Sequence, residues 1–223
     1  VSAELRILEF LLSKRKALVG EVASLLGYSE SLVTEVVERY SDLVKLVGGE
    51  IVVVNSIELA LTLSERGVEL KRISEYLDWR DFEAFTSRIL EESGYQVERS
   101  VKLTTPVRFE IDVLGIDPVS GIGLIVDCKH WSIASRSRLL EAAERHYERV
   151  EKLVKYYSRV KQLYRVLEKA TRLVPVVITL TTPSIRVYRR VLFASIRELP
   201  ALLRDLHVVL DHYEVEPISA PKI

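Results

Sequence analysis

The stretch VRFEIDVLGIDPVSGIGLIVDCKH, residues 107–130, decides how the rest of the chain is read. Val107 to Ile116 and Ile122 to His130 are two strand-length runs rich in Val, Ile and Leu,. Between them, Asp117-Pro118-Val119-Ser120-Gly121 has the composition of a turn,. Residues two apart in a strand share a face. Arg108, Glu110 and Asp112 therefore fall on one side of the first run, and Phe109, Ile111 and Val113 on the other. On the second run Asp127 and Lys129 share a face, and Val126 and Cys128 take the opposite one. With the turn centred between Val119 and Ser120, opposite residues have numbers that sum to 239, as 119 and 120 do. Asp112 then stands across from Asp127, and Glu110 across from Lys129. A one-residue slip would remove both matches.

Carboxylates placed directly across a ladder repel one another. A sequence that breaks a local rule in this way points to a functional position. A hard divalent cation such as Mg²⁺ relieves the repulsion, because it prefers carboxylate oxygens. Lys129 would lie within reach of an anion held by that cation, and Glu110 would serve as a partner for Lys129.

Upstream, Asp78 to Ser93 reads as a helix with Phe82, Phe85, Ile89 and Leu90 on one face and Glu83 beside it; Gly94 ends it,. Tyr95 to Leu103 reads as a strand that Pro106 breaks,. If the helix packs beside the strands, Glu83 is a third carboxylate. His130, Trp131 and the Cys128 side chain read as packing residues, with His130 able to meet a phosphate.

The pieces Asp81-Phe82-Glu83, Gly94-Tyr95-Gln96-Val97, Glu110-Ile111-Asp112 and Asp127-Cys128-Lys129 fall in that order on a helix and three strands. Together they resemble the PD-(D/E)xK nuclease superfamily, and are most similar to the branch of Mrr-type restriction endonucleases and archaeal Holliday-junction resolvases. The resemblance spans about residues 78–200. Ile111 stands where the family name has proline, and Asp127 where many Mrr-type members carry glutamine. The resemblance implies a restriction-endonuclease-like α/β fold, a mixed central sheet flanked by helices, and Mg²⁺-dependent hydrolysis of DNA phosphodiesters, with Mn²⁺ as a substitute. It implies that Asp112, Asp127 and the Cys128 carbonyl hold the metal, and that Glu83 holds a second metal or a water. Lys129 would position the attacking water and stabilise transition-state charge.

Downstream, Ser135 to Thr171 reads as one long helix. Val150, Leu153, Tyr157, Val160, Tyr164 and Leu167 form a seam for coiled-coil pairing between protomers or for covering the chain's own sheet,. Arg145, Arg149, Lys152, Lys155 and Arg159 run along it, partly offset by glutamates,. Pro175 opens a strand, Val176 to Leu180, and should not lie inside one. Arg186, Arg189 and Arg190 precede Val191 to Ile196, an apolar run of either type, and Pro200 opens a final helix, Ala201 to Leu206. Arg145, Arg149, Lys152, Arg186, Arg189 and Arg190 are the candidate nucleic-acid contacts.

The N-terminal part has its own pattern. Helical stretches at Glu4 to Lys14, Val22 to Leu26 and Leu32 to Tyr40 precede Leu43 to Val47, Gly48-Gly49 and Ile51 to Val54, a hairpin,. Three helices and a hairpin is the order of a winged helix-turn-helix. Its third helix carries Glu30, Glu35 and Glu38 against Arg39, the wrong sign for phosphate,. DNA reading and a protein-contact role both stay open. The division is 1–55 for this domain, 56–77 for a helical connector that Gly67 could break, and 78–223 for the nuclease-like domain.

Composition frames these readings. The 223 residues carry 32 basic and 32 acidic side chains and are 48% hydrophobic, enough for a sizeable core and against disorder,. The zero sum hides balances of −3 over 1–77, −4 over 78–131 and +7 over 132–223. A lone Cys128 excludes a disulfide framework and suggests a reducing cytoplasm,. No apolar run is long enough for a membrane span. The many Arg, Glu and Val hint at a thermophilic or archaeal source. The expectation is a homodimeric Mg²⁺-dependent DNA endonuclease. The alternatives are a non-catalytic DNA-binding or regulatory protein that keeps a nuclease fold, and an assembly module.

Overall fold

The structure, a computed structural model, describes residues 2–131 and 134–221. The chain divides into two compact units, one ending at Asp81 and the other beginning at Phe82. The stretch expected to be a connector therefore belongs to the first unit.

In the first unit, α1 (Ala3–Lys14), β1 (Lys16–Leu18), α2 (Val19–Leu26), α3 (Glu30–Arg39), β2 (Val44–Val47) and β3 (Glu50–Val53) precede α4 (Ser56–Glu65) and α5 (Leu70–Glu75). The strands form an antiparallel sheet in the order β1-β3-β2. α1 buries Ile7, Leu8, Leu11 and Leu12, and α3 buries Val33, Val36 and Val37. Ser29 caps α3: its Oγ accepts from the Leu32 N–H at 3.3 Å,. Gly48 and Gly49 both have positive φ, 59° and 87°, which a two-residue turn matched to strand twist requires,. Sequence reading misses β1, because three residues between two helices are too few to show a period of two.

The second unit contains most of α6 (Trp79–Glu92), then β4 (Gln96–Leu103), β5 (Phe109–Ile116), β6 (Ile122–Lys129), α7 (Arg136–Lys155) and α8 (Tyr157–Leu163). A 3-10 turn (Arg165–Lys169), β7 (Arg172–Thr179), β8 (Val187–Tyr188), β9 (Val191–Ser195), α9 (Leu199–Arg204), α10 (Leu206–His212) and β10 (Ile218–Ser219) complete it. The sheet runs β4-β5-β6-β7-β9-β8, with β10 added to one end of β7. β5 is antiparallel to both its neighbours, β4 and β6; β6, β7 and β9 are parallel. This is a mixed α/β sheet flanked by helices. No helix among the described residues is long and apolar enough to cross a membrane.

Three expectations are corrected. The helix expected over 135–171 breaks at Tyr156 (φ −109°, ψ 26°) and again at Tyr164, where the backbone is extended. Tyr157 explains part of the break: its hydroxyl donates to the Leu167 carbonyl at 2.9 Å, which folds the chain back. The seam residues Val150, Leu153, Tyr157, Val160 and Leu167 pack with Ile111, Leu114, Ile125 and Leu173 of the chain's own sheet. They are spent there and leave no seam for a coiled coil. Second, β7 begins at Arg172, so Pro175 lies inside a central strand, opposite Ile125 of β6. Pairing with β9 starts only at Val176, so no ladder bond on that side is lost at the proline,. Third, the final helix expected over Ala201 to Leu206 is two short ones, α9 and α10; the apolar run before it, open to either type, is the strand Val191–Ser195.

The β5–β6 turn gives a stability prediction. Gly121 has φ +71°, and a Cβ there would come within 2.6 Å of Thr171 Oγ1 and 3.1 Å of the Lys169 carbonyl oxygen. The Gly121 carbonyl also accepts the Thr171 N–H at 2.8 Å, tying the turn to the start of β7. Gly121→Ala is expected to cost about 2 kcal/mol, measured by urea denaturation.

Candidate functional site

β5 and β6 pair from Val113↔Val126 to Ile116↔Gly123, the register in which partners sum to 239. Asp112 and Asp127 lie one residue beyond the last of these pairs on each strand. The Cys128 N–H donates to Asp112 Oδ2 at 2.8 Å, locking the first carboxylate onto the second strand. Glu110 does not partner Lys129 as expected. It faces Lys102 across the β4–β5 ladder, with Nζ 3.0 Å from Oε1, because that neighbour is also basic.

Lys129 turns instead to Asp127, its Nζ 2.7 Å from Oδ2. Arg149 comes from α7 and places Nη2 2.8 Å from Asp127 Oδ1. The Asp127 side chain is 1% exposed, while those of Lys129 and Arg149 are 23% and 24% exposed. The two cations thus cover a buried carboxylate and keep one side to solvent. Arg149 also donates from Nε to the Arg145 carbonyl at 3.2 Å.

His146, one turn before Arg149, is fully buried. Its Nε2 is 2.8 Å from the Ile125 carbonyl oxygen, and its Nδ1 is buried without a hydrogen-bond partner among the described residues. Burial lowers its pKa to about 4, so the ring is neutral at pH 7. Sequence reading passes it over; the available signal was its place in the buried register Leu139, Ala142, Ala143, Val150.

Glu83 is buried on α6, and its Oε1 has no hydrogen-bond partner among the described residues. Burial, then the charge of Asp112, raise its pKa to about 7. Asp112 is pushed up to about 6 by burial and by Asp127, with the Cys128 N–H, Lys129 and Arg149 pulling the other way. Burial also acts to raise Asp127, but His146, Lys129 and Arg149 outweigh it and hold that carboxyl below its ordinary value. Three carboxylates therefore share one electrostatic neighbourhood, with Lys129 and Arg149 acting on the aspartates and Arg99 on Glu83.

The donor chemistry fits a hard cation: oxygen-only side chains, with Glu83 Oε1 and both Asp127 oxygens buried without a hydrogen-bond partner among the described residues,. The convergence does not extend to a ready cluster. Among the described residues no three Asp, Glu, His or Cys side chains group closely enough to hold a metal. Asp112 and Asp127 are the pair that could hold one, with Glu83 behind them. The Cys128 backbone lies beside them, opposite Ile178 of β7. The Cys128 thiol is buried and pushed up by that burial, the behaviour of a core residue. His130 packs edge-on against Phe82, ring centroids 5.3 Å apart.

A groove of about 510 Å³ opens beside Lys129 and Arg149 and runs along α7. Lys129, Arg138, Arg145, Arg149 and Lys152 line it against Glu141 and Glu148, and Trp131 forms one wall. The Arg138 guanidinium stacks 4.1 Å from the centre of the Trp131 ring,. The second basic cluster is dispersed. Arg186 pairs with Glu198 at 2.8 Å, Arg189 with Glu144 at 2.7 Å, and Arg190 with Glu216 at 2.9 Å.

No known protein-family model matches the chain, and no curated protein does. Among solved structures it is similar to protein VC1899 from Vibrio cholerae, with 15% identity and a TM-score of 0.35, over 94% of this chain. The chain spans half the length of that protein. It is also similar to AF1548, a protein of unknown function, with 17% identity and a TM-score of 0.33, over 65% of this chain and 71% of the other.

Proposed function

We propose that the unit beginning at Phe82 is a nuclease domain of the PD-(D/E)xK type, dependent on a divalent cation and acting on DNA. The observation that carries this reading is the pair Asp112 and Asp127 with Lys129 on the second of them, at the mouth of a basic groove. A bound Mg²⁺ would polarise the scissile phosphate and make its water a better nucleophile. Asp112 and Asp127 would hold it. Lys129, half in and half out of the site, can leave Asp127 for a phosphoryl oxygen and stabilise the charge that develops there. The Cys128 N–H fixes Asp112 from behind.

The first unit is read as a winged helix: its element order and β1-β3-β2 sheet support that. Its third helix stays acidic, and Arg39 is engaged by Glu4 at 2.6 Å and Glu35 at 2.8 Å. Leu18, Leu25, Leu46 and Val47 are exposed on the same unit. These features favour protein contact, including a homodimer, over DNA reading. A second reading, a non-catalytic DNA-binding protein, is favoured by one observation: both oxygens of Asp127 already face cations.

The deciding experiment is a cleavage assay on duplex, single-stranded and branched DNA and on RNA, each with Mg²⁺, Mn²⁺ or EDTA. Metal-dependent cleavage that EDTA stops supports the first reading; salt-sensitive binding without cleavage supports the second. The groove has its own test. Arg138→Ala with Lys152→Ala should weaken binding to any DNA sequence about equally and reduce the slope of log affinity against log salt by about 2, measured by fluorescence anisotropy.

A further inference from the structure

The feature the proposed chemistry leaves unused is the position of Arg149. It comes from a different element than Lys129, yet it meets the same carboxylate from the opposite oxygen, and its side chain also lines the groove. A guanidinium matches a carboxylate and a phosphodiester equally well in geometry. In the groove it has basic neighbours, Arg145 and Lys152, one turn away on either side along α7. Arg145 is occupied by Glu141, whereas Arg149 has its charge partner inside the site.

We propose that Arg149 is a substrate-responsive guard on Asp127. Without nucleic acid, its guanidinium and Lys129 together neutralise the carboxylate as ion pairs at 2.8 and 2.7 Å and disfavour a divalent cation there, although both Asp127 oxygens lack a hydrogen-bond partner among the described residues. A phosphodiester lying in the groove offers Arg149 an alternative anion within the reach of a side-chain rotation. Once Arg149 turns to it, Oδ1 of Asp127 is free to accept a metal oxygen-ligand bond, and the positive charge opposing that metal has moved outward. Metal and polyanion then bind cooperatively, and linkage makes the effect reciprocal. This inference rests on the nuclease reading of the same site.

The test is Mn²⁺ binding to the full chain without nucleic acid, followed by the electron paramagnetic resonance of free Mn²⁺. Arg149→Gln is expected to bind Mn²⁺ at least about tenfold tighter than the wild type, since one opposing charge beside the site is gone. Arg149→Lys, which returns a cation, should bring the affinity back toward wild type. Asp112→Asn in either background should abolish the site. A second measurement uses anisotropy of a labelled DNA duplex: Mn²⁺ should strengthen duplex binding by the wild type, and do so several-fold less for Arg149→Gln. Equal Mn²⁺ affinity of wild type and Arg149→Gln, with both lost on Asp112→Asn, overturns the guard and leaves the nuclease reading standing. A Lys variant as tight as the Gln variant also overturns it, because packing and not charge would then be responsible. Absence of any Asp112-dependent Mn²⁺ site overturns both. Circular dichroism melting of each variant verifies that the compared proteins are folded.

Discussion

Mg²⁺-dependent cleavage is expected to fall by on the order of a hundred- to a thousandfold in Asp127→Asn, and by a similar factor in Lys129→Ala. The reasons differ. Asp127→Asn removes the charge on the most buried of the three carboxylates, so a cation loses an anionic ligand while the side-chain volume is kept. It also leaves Lys129 and Arg149 without their carboxylate, but both side chains retain access to water, so neither becomes a sealed, unpaired charge,. Lys129→Ala leaves the carboxylates in place and removes a cation that can face the phosphoryl oxygens. The two variants should therefore separate in metal binding: Asp127→Asn loses it, and Lys129→Ala keeps or strengthens it. Single-turnover cleavage together with Mn²⁺ titration checks both, and cleavage at the wild-type rate in Asp127→Asn overturns the assignment.

Glu83→Gln should make the protein more stable at pH 8 while impairing cleavage. Burial raises the pKa of Glu83 from an ordinary 4.5 to about 7. Between those values the folded protein holds a proton that the unfolded chain has released. The folded state is therefore favoured below about pH 4.5, and stability declines as the pH rises to about 7. The full difference corresponds to up to about 3 kcal/mol. Glutamine cannot ionise, so the variant should lose this decline, and its urea midpoint at pH 8 should exceed that of the wild type. Asp127 acts in the opposite sense: its lowered pKa contributes stability above its ordinary value of 3.8 that is lost on further acidification. Saturating Mg²⁺ should narrow the pH 8 gap between Glu83→Gln and wild type, because a cation offsets the same unfavourable charge. A variant no more stable than wild type at pH 8 would show that Glu83 is not ionised at a cost there.

Much of the site was legible because it is built by a hairpin. A period of two and a five-residue turn are enough to set the β5–β6 register, and with it the approach of Asp112 and Asp127. What could not be read was which cation meets which carboxylate. Lys129 and Glu110 lie opposite by number, yet Lys102 reaches Glu110 from β4, across a second hairpin closed by residues 104–108, so two lysines compete for one carboxylate. Arg149 was legible as a basic residue on a helix but not as one turned inward, since its partner is 22 residues away and its orientation follows from how α7 lies on the sheet. His146 was hidden for a related reason: an imidazole in an apolar register looks like any core residue until its Nε2 is placed against the Ile125 carbonyl. The long helix failed because a seam at steps of three and four records which side chains are buried, and that pattern persists through the break at Tyr156.

The strand order also bears on how the domain is made. β4, β5 and β6 are joined by short connections and pair as neighbours, so they can form as soon as residue 129 is available. β7, the parallel partner on the other side of β6, starts only at Arg172. Until those later residues arrive, β6 is an open edge of apolar side chains with Asp127 near its end, and closing that gap is a slow, non-local step. An unpaired apolar edge is a template for another chain. The charged end of β6, Asp127 and Lys129, is well placed to resist such pairing during synthesis. Residues that serve the finished site would then also protect the chain on its way there, and variants that neutralise them should give lower soluble yields than their folded-state stability alone accounts for.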